Sequence, residues 1–259
     1  MNQFIKMSIV WACCSSGRSD TIVGKTLTTL NDAGFIGTVF VCVPHDELVT
    51  YSNALKNYPV ILVGAKKGMV NQRKHIRDMW PPGQEIVFIA DDVTRIKFLA
   101  GGRLHSLTNI HAAVEILFQY IHNMEGPLVW GVYPTINRDW LKTRESIGNV
   151  CISTALYGIV NDPRLTEPES DDCEDWARQL SEQAAGRAPV RFDWIGIQRD
   201  HLPERSRAAC EALVAAYTDI VKLKIQKGTR IDLKPLRRPS YIGREILMTG
   251  PAVVDLSGS

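Results

Sequence analysis

The chain has 259 residues, 45% hydrophobic and 22% charged, an ordinary globular composition with length enough for a full core. Its formal net charge of +2 singles out no partner. Nowhere do about 18 apolar residues follow one another, so no membrane association is expected. The six cysteines show no CxxC and no zinc-type spacing, which points to reduced thiols in a cytosol. Lys6 is followed by no long apolar run or small-residue cleavage site, so the expected setting is cytoplasmic, or the host cytoplasm for a viral chain.

In chain order, "MSIVWACC" (7–14) reads as a buried strand followed by the polar loop "SSGRSD". Ile22, Val23, Leu27 and Leu30 have helical spacing, and Gly34 supplies the stop. Strands are expected at 37–44, 59–64 and 86–90, with helices at 46–57 and 69–80, the latter stopped by Pro81-Pro82-Gly83. Continuous apolar strands alternating with helices predict an α/β fold, a mostly parallel sheet flanked by helices on both faces. Beyond residue 100 the pattern is less regular. It gives a helix at 109–124, a strand at 126–134, a strand and hairpin at 149–160, a helix at 172–185, a strand at 190–197 and a long helix at 204–226. With no repeat, low-complexity tract or linker, one domain over 1–259 is expected.

Asp91 and Asp92 end the apolar run Ile86–Ala90. Ligands of parallel sheets collect outside the carboxyl ends of the strands. Two adjacent carboxylates there repel each other unless a cation joins them or a pKa rises. Mg²⁺ or Mn²⁺ would accept such oxygens and still bind phosphate. The plainer alternative is a turn cap at Asp91 and a solvated Asp92. The Gly24-Lys25 pair is not a P-loop, because that pattern needs a glycine at position 19, which is Ser19.

The stretch "KKGMVNQRKHIRDMWPPGQEIVFIADDV" (66–93) resembles the nucleotide-sugar-binding core of GT-A-fold glycosyltransferases. Gly68 matches the family's glycine, Arg73 its helix arginine, Ile86–Ile89 its strand, and Asp91 and Asp92 the last two acids of an extended acidic motif whose first position here is Ala90. The resemblance implies a GT-A-like fold, with about 1–95 binding a UDP-sugar and about 96–259 binding the acceptor. It also implies Asp92 as metal ligand, with Asp91 assisting it or contacting the sugar or ribose of the donor, and Mn²⁺ or Mg²⁺ as cofactor. The loop after the first strand would hold the nucleotide through Ser16 and Arg18, whose planar donor fork suits a diphosphate. Asp46 would contact uracil or ribose, or else cap the following helix.

"EPESDDCED" (167–175) packs six carboxylates into nine residues. Asp172 suits a helix N-cap, and acids in a first turn favour the helix dipole. The same family often opens a helix after the acceptor loop with an acid pair, a placement that Glu174, Asp175 and Trp176 match. An inverting transfer needs one such acid as general base.

"WGVYPTINRDW", "IGNVCISTALYGIVNDPRL" and "VRFDWIGI" are similar to the acceptor half of glycosyltransferases associated with TET/J-binding-protein dioxygenases, the base J glucosyltransferase and its phage relatives. These glycosylate hydroxymethyl groups on DNA pyrimidines. The partner so implied is DNA carrying hydroxymethylated bases, and no obligate protein partner is inferred. Residues 222–238 carry seven basic side chains against one Asp. Of these, Lys227, Arg230, Lys234, Arg237 and Arg238 are expected to contact phosphates, although a solvated loop over the diphosphate would read the same way. Two alternatives stay open: a glycosyltransferase with a protein, glycan or small-molecule acceptor, and a nucleotidyltransferase-like or non-catalytic nucleotide-binding domain.

Overall fold

The computed structural model describes residues 8–148, 150, 152–200, 206–225, 231–235 and 240–242. The strands are β1 (Val10–Cys14), β2 (Val39–Pro44), β3 (Val60–Ala65), β4 (Glu85–Ala90), β5 (Val93–Ala100), β6 (Arg103–Ser106) and β7 (Val129–Tyr133). They continue with β8 (Glu145–Ile147), β9 (Leu156–Val160), β10 (Val190–Arg199), β11 (Val221–Ile225), β12 (Ile231–Pro235) and β13 (Ser240–Ile242). One sheet runs β13-β8-β10-β7-β9-β4-β1-β2-β3, with the β5–β6 hairpin attached to β10, while β11 and β12 pair separately. Only β9, β8 and β5 run against the other strands of this sheet, so the expected α/β architecture with a mostly parallel sheet is present.

Strand period two divides the core between the sheet's faces. Trp11, Cys13, Val41, Val87 and Ile89 face the helices of 19–32, Leu48–Leu55 and Ile110–His122. Val10, Ala12, Cys14, Ile86 and Phe88 face the Met69–Asp78 helix and the segment around Val150–Ile152. Phe192 is fully buried, a placement worth about 1.5–3 kcal/mol. Cys173, Trp176 and Leu180 pack with Cys210 and Val221 in a separate cluster. Among the described residues no helix is long and apolar enough to cross a membrane.

Three regions depart from the sequence expectation. Residues 93–106, assigned no element, form the β5–β6 hairpin, whose turn is Gly101-Gly102 with φ of 54° and 73°. Two consecutive positive φ values suit a tight two-residue turn and favour glycine. The helix expected over 204–226 ends at Ala216, and Val221–Ile225 is a strand. There Val, Leu and Ile alternate with lysines, and that period of two pairs β11 with β12. Among the described residues of 149–160 the strand is Leu156–Val160, its partners being β4 and β7 rather than a local hairpin.

Candidate active site

Parallel pairing aligns Cys14 with both Cys42 and Ala90, so the chain leaves β1, β2 and β4 at one edge of the sheet. At that edge lies a cavity of about 400 Å³ whose lining includes Ser16, Arg18, Gly68, Arg73, Asp91, Glu174 and Asp175. Seven sequence-predicted residues thus meet at one place, drawn from four separate segments.

Two threonines brace the turn after β4. Thr26 Oγ1 donates to the Ala90 carbonyl at 2.6 Å and accepts the Val93 N–H at 3.0 Å, while Thr29 Oγ1 donates to the Val93 carbonyl at 3.0 Å. Thr26 lies in a π-helical stretch, Ile22–Leu27, between the helical turns Ser19–Thr21 and Thr28–Asp32, and π-bulges recur at functional sites. The Gly-Lys-Thr that fails as a P-loop therefore holds the acidic turn in place.

Asp91 accepts a hydrogen bond from Ser15 Oγ at 2.6 Å and meets Arg18 Nη1 at 3.3 Å. Ser15 Oγ also lies 2.6 Å from the Tyr51 hydroxyl, which accepts the Arg18 N–H at 3.0 Å. With the Ser15 proton directed at Asp91, Tyr51 donates to Ser15. Burial raises the Asp91 pKa above the usual carboxylate range, the Ser15 hydrogen bond and Arg18 pull it back down, and Asp92 adds to the rise.

Asp92 lies beneath this surface, with no exposed area and no share in the cavity lining. It pairs with Arg199 Nε at 3.1 Å and stands 3.8 Å from Arg18 Nη1. One or two carboxylates plus substrate phosphates can suffice for Mg²⁺, so the number of acids does not decide the fit. The charges do. Both carboxylates already face guanidinium groups, and a divalent ion on Asp92 would stand against the largely buried Arg199, with the half-exposed Arg18 beside it. No group of three or more His, Cys, Asp or Glu side chains suited to a metal occurs among the described residues. The expected assignment of Asp92, assisted by Asp91, to Mn²⁺ or Mg²⁺ does not fit this donor set.

Across the chain, Glu174 and Asp175 open the Glu174–Ala184 helix. Its N-cap Cys173 has φ 58°, a left-handed conformation rare outside glycine. Glu174 forms a buried ion pair with Arg73, whose guanidinium also lies 5.2 Å from the centre of the Tyr157 ring. Burial, the largest single influence, lowers the Arg73 pKa, but Glu174, Tyr157 and Cys14 together outweigh it and the net shift is upward. Burial pushes the Tyr157 phenol up to about 12. Arg73 and Glu174, expected at donor and base, are thus engaged with each other, while Asp175, in the same lining, accepts the Trp176 N–H at 2.9 Å.

Gly68 precedes the Met69–Asp78 helix with φ 116°, and a Cβ there would lie 2.8 Å from Asp171 Oδ2. Asp171 Oδ1 accepts the Val70 N–H at 2.7 Å, so a carboxylate sits at this helix start. Asp46 is exposed and lines no part of the cavity, and the short helix His45–Glu47 has no side-chain cap. The next acid, Glu47, holds the loop instead, accepting from Ser16 Oγ at 2.7 Å and the Gly17 N–H at 2.6 Å. Lys227, Arg230, Arg237 and Arg238 lie outside the described residues, and Lys234 sits in β12 opposite Lys222.

No protein-family model and no curated protein matches the chain. Among solved structures it is similar to S. aureus TarS, at 11% identity and a TM-score of 0.49 over 73% of this chain and 36% of that one. The chain thus spans about a third of TarS. The inositol-1-phosphate CTP transferase of T. maritima overlaps 82% of this chain and 94% of its own, at 11% identity and a TM-score of 0.45. For the 4-diphosphocytidyl-2C-methyl-D-erythritol synthase of Anaerococcus prevotii the figures are 69% and 76%, 10% and 0.35. Likenesses of this strength leave the activity to be read from the chain's own residues.

Proposed function

We propose that the chain moves a sugar from a nucleoside-diphosphate donor, a UDP-sugar by its resemblance to GT-A enzymes, to a hydroxyl acceptor. The observation that supports this best is Arg18, half-exposed at the carboxyl end of β1, lining one cavity with Asp175. A guanidinium suits a departing diphosphate, and a carboxylate suits an incoming hydroxyl.

In this reading Asp175 takes the acceptor's proton as its oxygen attacks the anomeric carbon. The bond from that carbon to the diphosphate oxygen breaks, and the diphosphate leaves with the electron pair against Arg18. Asp91, braced by Ser15, sets the orientation of Arg18. Ser16 and Gly68, in the same lining, bound the donor's path.

The acceptor we favour is the hydroxymethyl group of a modified pyrimidine in DNA. Its support is the resemblance of the second half and the basic composition of 222–238, where Lys222 and Lys234 stand opposite each other on paired strands. Such lysines neutralise phosphates without reading sequence. A base within a duplex must leave the stack before its hydroxymethyl group can react.

Mass spectrometry of plain and hydroxymethylated DNA, incubated with the full chain and a panel of UDP-sugars, tests this directly. The expected result is a hexose- or pentose-sized gain on the hydroxymethylated base alone. UDP release with no gain on any DNA would refute the DNA acceptor and keep the transferase.

A further inference from the structure

We propose that Arg199 and Arg18 together do at the diphosphate what a divalent ion would otherwise do, so that this site binds a nucleoside diphosphate without metal. The inference rests on the nucleotide reading above and concerns how that site handles charge.

Arg199 reaches the site through topology. It ends β10, which runs antiparallel to β5, and a register shift after Gln198 sets Arg199 against Val93, the residue that follows the acid pair. A strand from the acceptor half thereby lays a guanidinium on the acids of the donor half. Asp92 meets it at Nε and at Nη2, 3.1 and 3.4 Å away. A guanidinium carries five N–H donors, more than Asp92 engages here.

Exposure shows which group meets the ligand. Asp92 has no exposed area, whereas the Arg199 side chain is 16% exposed and lines the cavity. At the position where the resemblance calls for a metal-binding carboxylate, the cavity is offered a cation seated on that carboxylate. Asp92 is then a positioning residue for Arg199, as Asp91 is for Arg18.

The charges balance without an ion. Two carboxylates and two guanidinium groups form a compact neutral cluster, with Arg18 Nη1 within 3.8 Å of both acids. A diphosphate entering beside this cluster finds planar, permanently charged donors suited to paired phosphate oxygens. Lys67, exposed on the same lining, adds a third cation. A divalent ion seated on Asp92 would first have to displace Arg199 and then tolerate its charge close by.

The test is calorimetry of UDP, ADP, GDP, CDP and inorganic pyrophosphate titrated into the full chain, once with excess EDTA and once with Mn²⁺. At least one diphosphate should bind with the same Kd, within about twofold, in both conditions. Arg18→Ala, at a half-exposed side chain where folding is not at stake, should weaken that binding about ten- to a hundredfold, the scale of a lost charge-assisted hydrogen bond. Arg199→Lys keeps the charge over Asp92 but loses the planar fork, and should weaken binding with Tm unchanged.

Binding that requires Mn²⁺, or tightens more than about tenfold with it, would overturn the metal-free inference while leaving the nucleotide site standing. Wild-type affinity in both arginine variants would overturn it equally. Absence of binding by every diphosphate in both conditions would remove the nucleotide reading together with the inference.

Discussion

Asp91–Asp92 and Glu174–Asp175 are both adjacent acids at the start or end of an element. One member of each is buried under an arginine from far along the chain, Arg199 over Asp92 and Arg73 against Glu174. Asp91, Glu174 and Asp175 all line the cavity, and Asp92 does not. The pairs differ in what surrounds them. Asp91–Asp92 lies at a strand end among hydroxyls and a half-exposed Arg18, where a ligand can compete for the cations. Glu174 and Arg73, in the same cavity lining, are 8% and 5% exposed and paired with each other, with Arg73 over the Tyr157 ring, so a ligand would have to break that ion pair to engage either. We therefore expect Arg18 to be a binding group and Arg73 a structural one, the difference being their exposure, 42% against 5%.

The largest expected effect breaks the second pair. Arg73→Ala leaves Glu174 charged and buried, and should destabilise the fold by about 3–5 kcal/mol in urea unfolding. A wild-type midpoint with lost diphosphate binding would instead make Arg73 a donor residue like Arg18.

Gly68→Ala should cost about 1–3 kcal/mol, because φ 116° is strained for alanine and the new Cβ meets Asp171. Adding Asp171→Ala should recover only the part due to contact. Full recovery in the double variant would show that the backbone at Gly68 stores no strain.

Thr26→Val keeps the shape while removing both hydrogen bonds that tie the acidic turn to its helix. It should cost about 1–3 kcal/mol and loosen the turn that carries Asp91. An unchanged amide-exchange rate at Val93 in this variant would show that the turn holds without Thr26.

The smallest effect concerns protons at the first pair. The folded pKa of Asp91 is raised, so its contribution to stability is present below the ordinary carboxylate pKa and is lost as pH rises through the raised one. A diphosphate that draws Arg18 away and adds negative charge raises that pKa further. Binding should then take up protons and tighten as pH falls, seen as a dependence of the calorimetric heat on buffer ionisation enthalpy. Arg18→Ala should abolish the dependence, and an equal heat in all buffers for the wild type would contradict the coupling.

Much of this sheet edge was legible because buried parallel strands are continuous apolar runs. Val10–Cys14, Val39–Pro44 and Glu85–Ala90 stand out from the polar loops that carry Ser16, Arg18 and the acids. Gly68 was legible from the motif it opens, although its reason, a close approach to Asp171, belongs to the folded chain. Arg199 was not. Its hydrogen bond to Asp92 spans 107 residues, and nothing local to Gln198-Arg199-Asp200 marks it. The β5–β6 hairpin and the Lys-Leu-Lys alternation of β11 were present as period-two patterns, the first with a Gly-Gly turn. Glu47 lies one residue from Asp46, and which of the two reaches the Ser16 loop depends on how the short helix His45–Glu47 turns its side chains.

The central claim is that the cavity beside Arg18, Asp91 and Asp175 takes a nucleoside-diphosphate sugar. Thermal unfolding of the full chain and of Arg18→Ala, with a panel of nucleotide sugars and the matching nucleoside monophosphates, tests it most directly. At ligand about a hundredfold above Kd, binding to the native state adds about 2.7 kcal/mol. The account predicts that at least one nucleotide sugar raises Tm of the wild type clearly more than its monophosphate, and that Arg18→Ala loses most of that rise. Equal Tm with every nucleotide sugar and with none would contradict it.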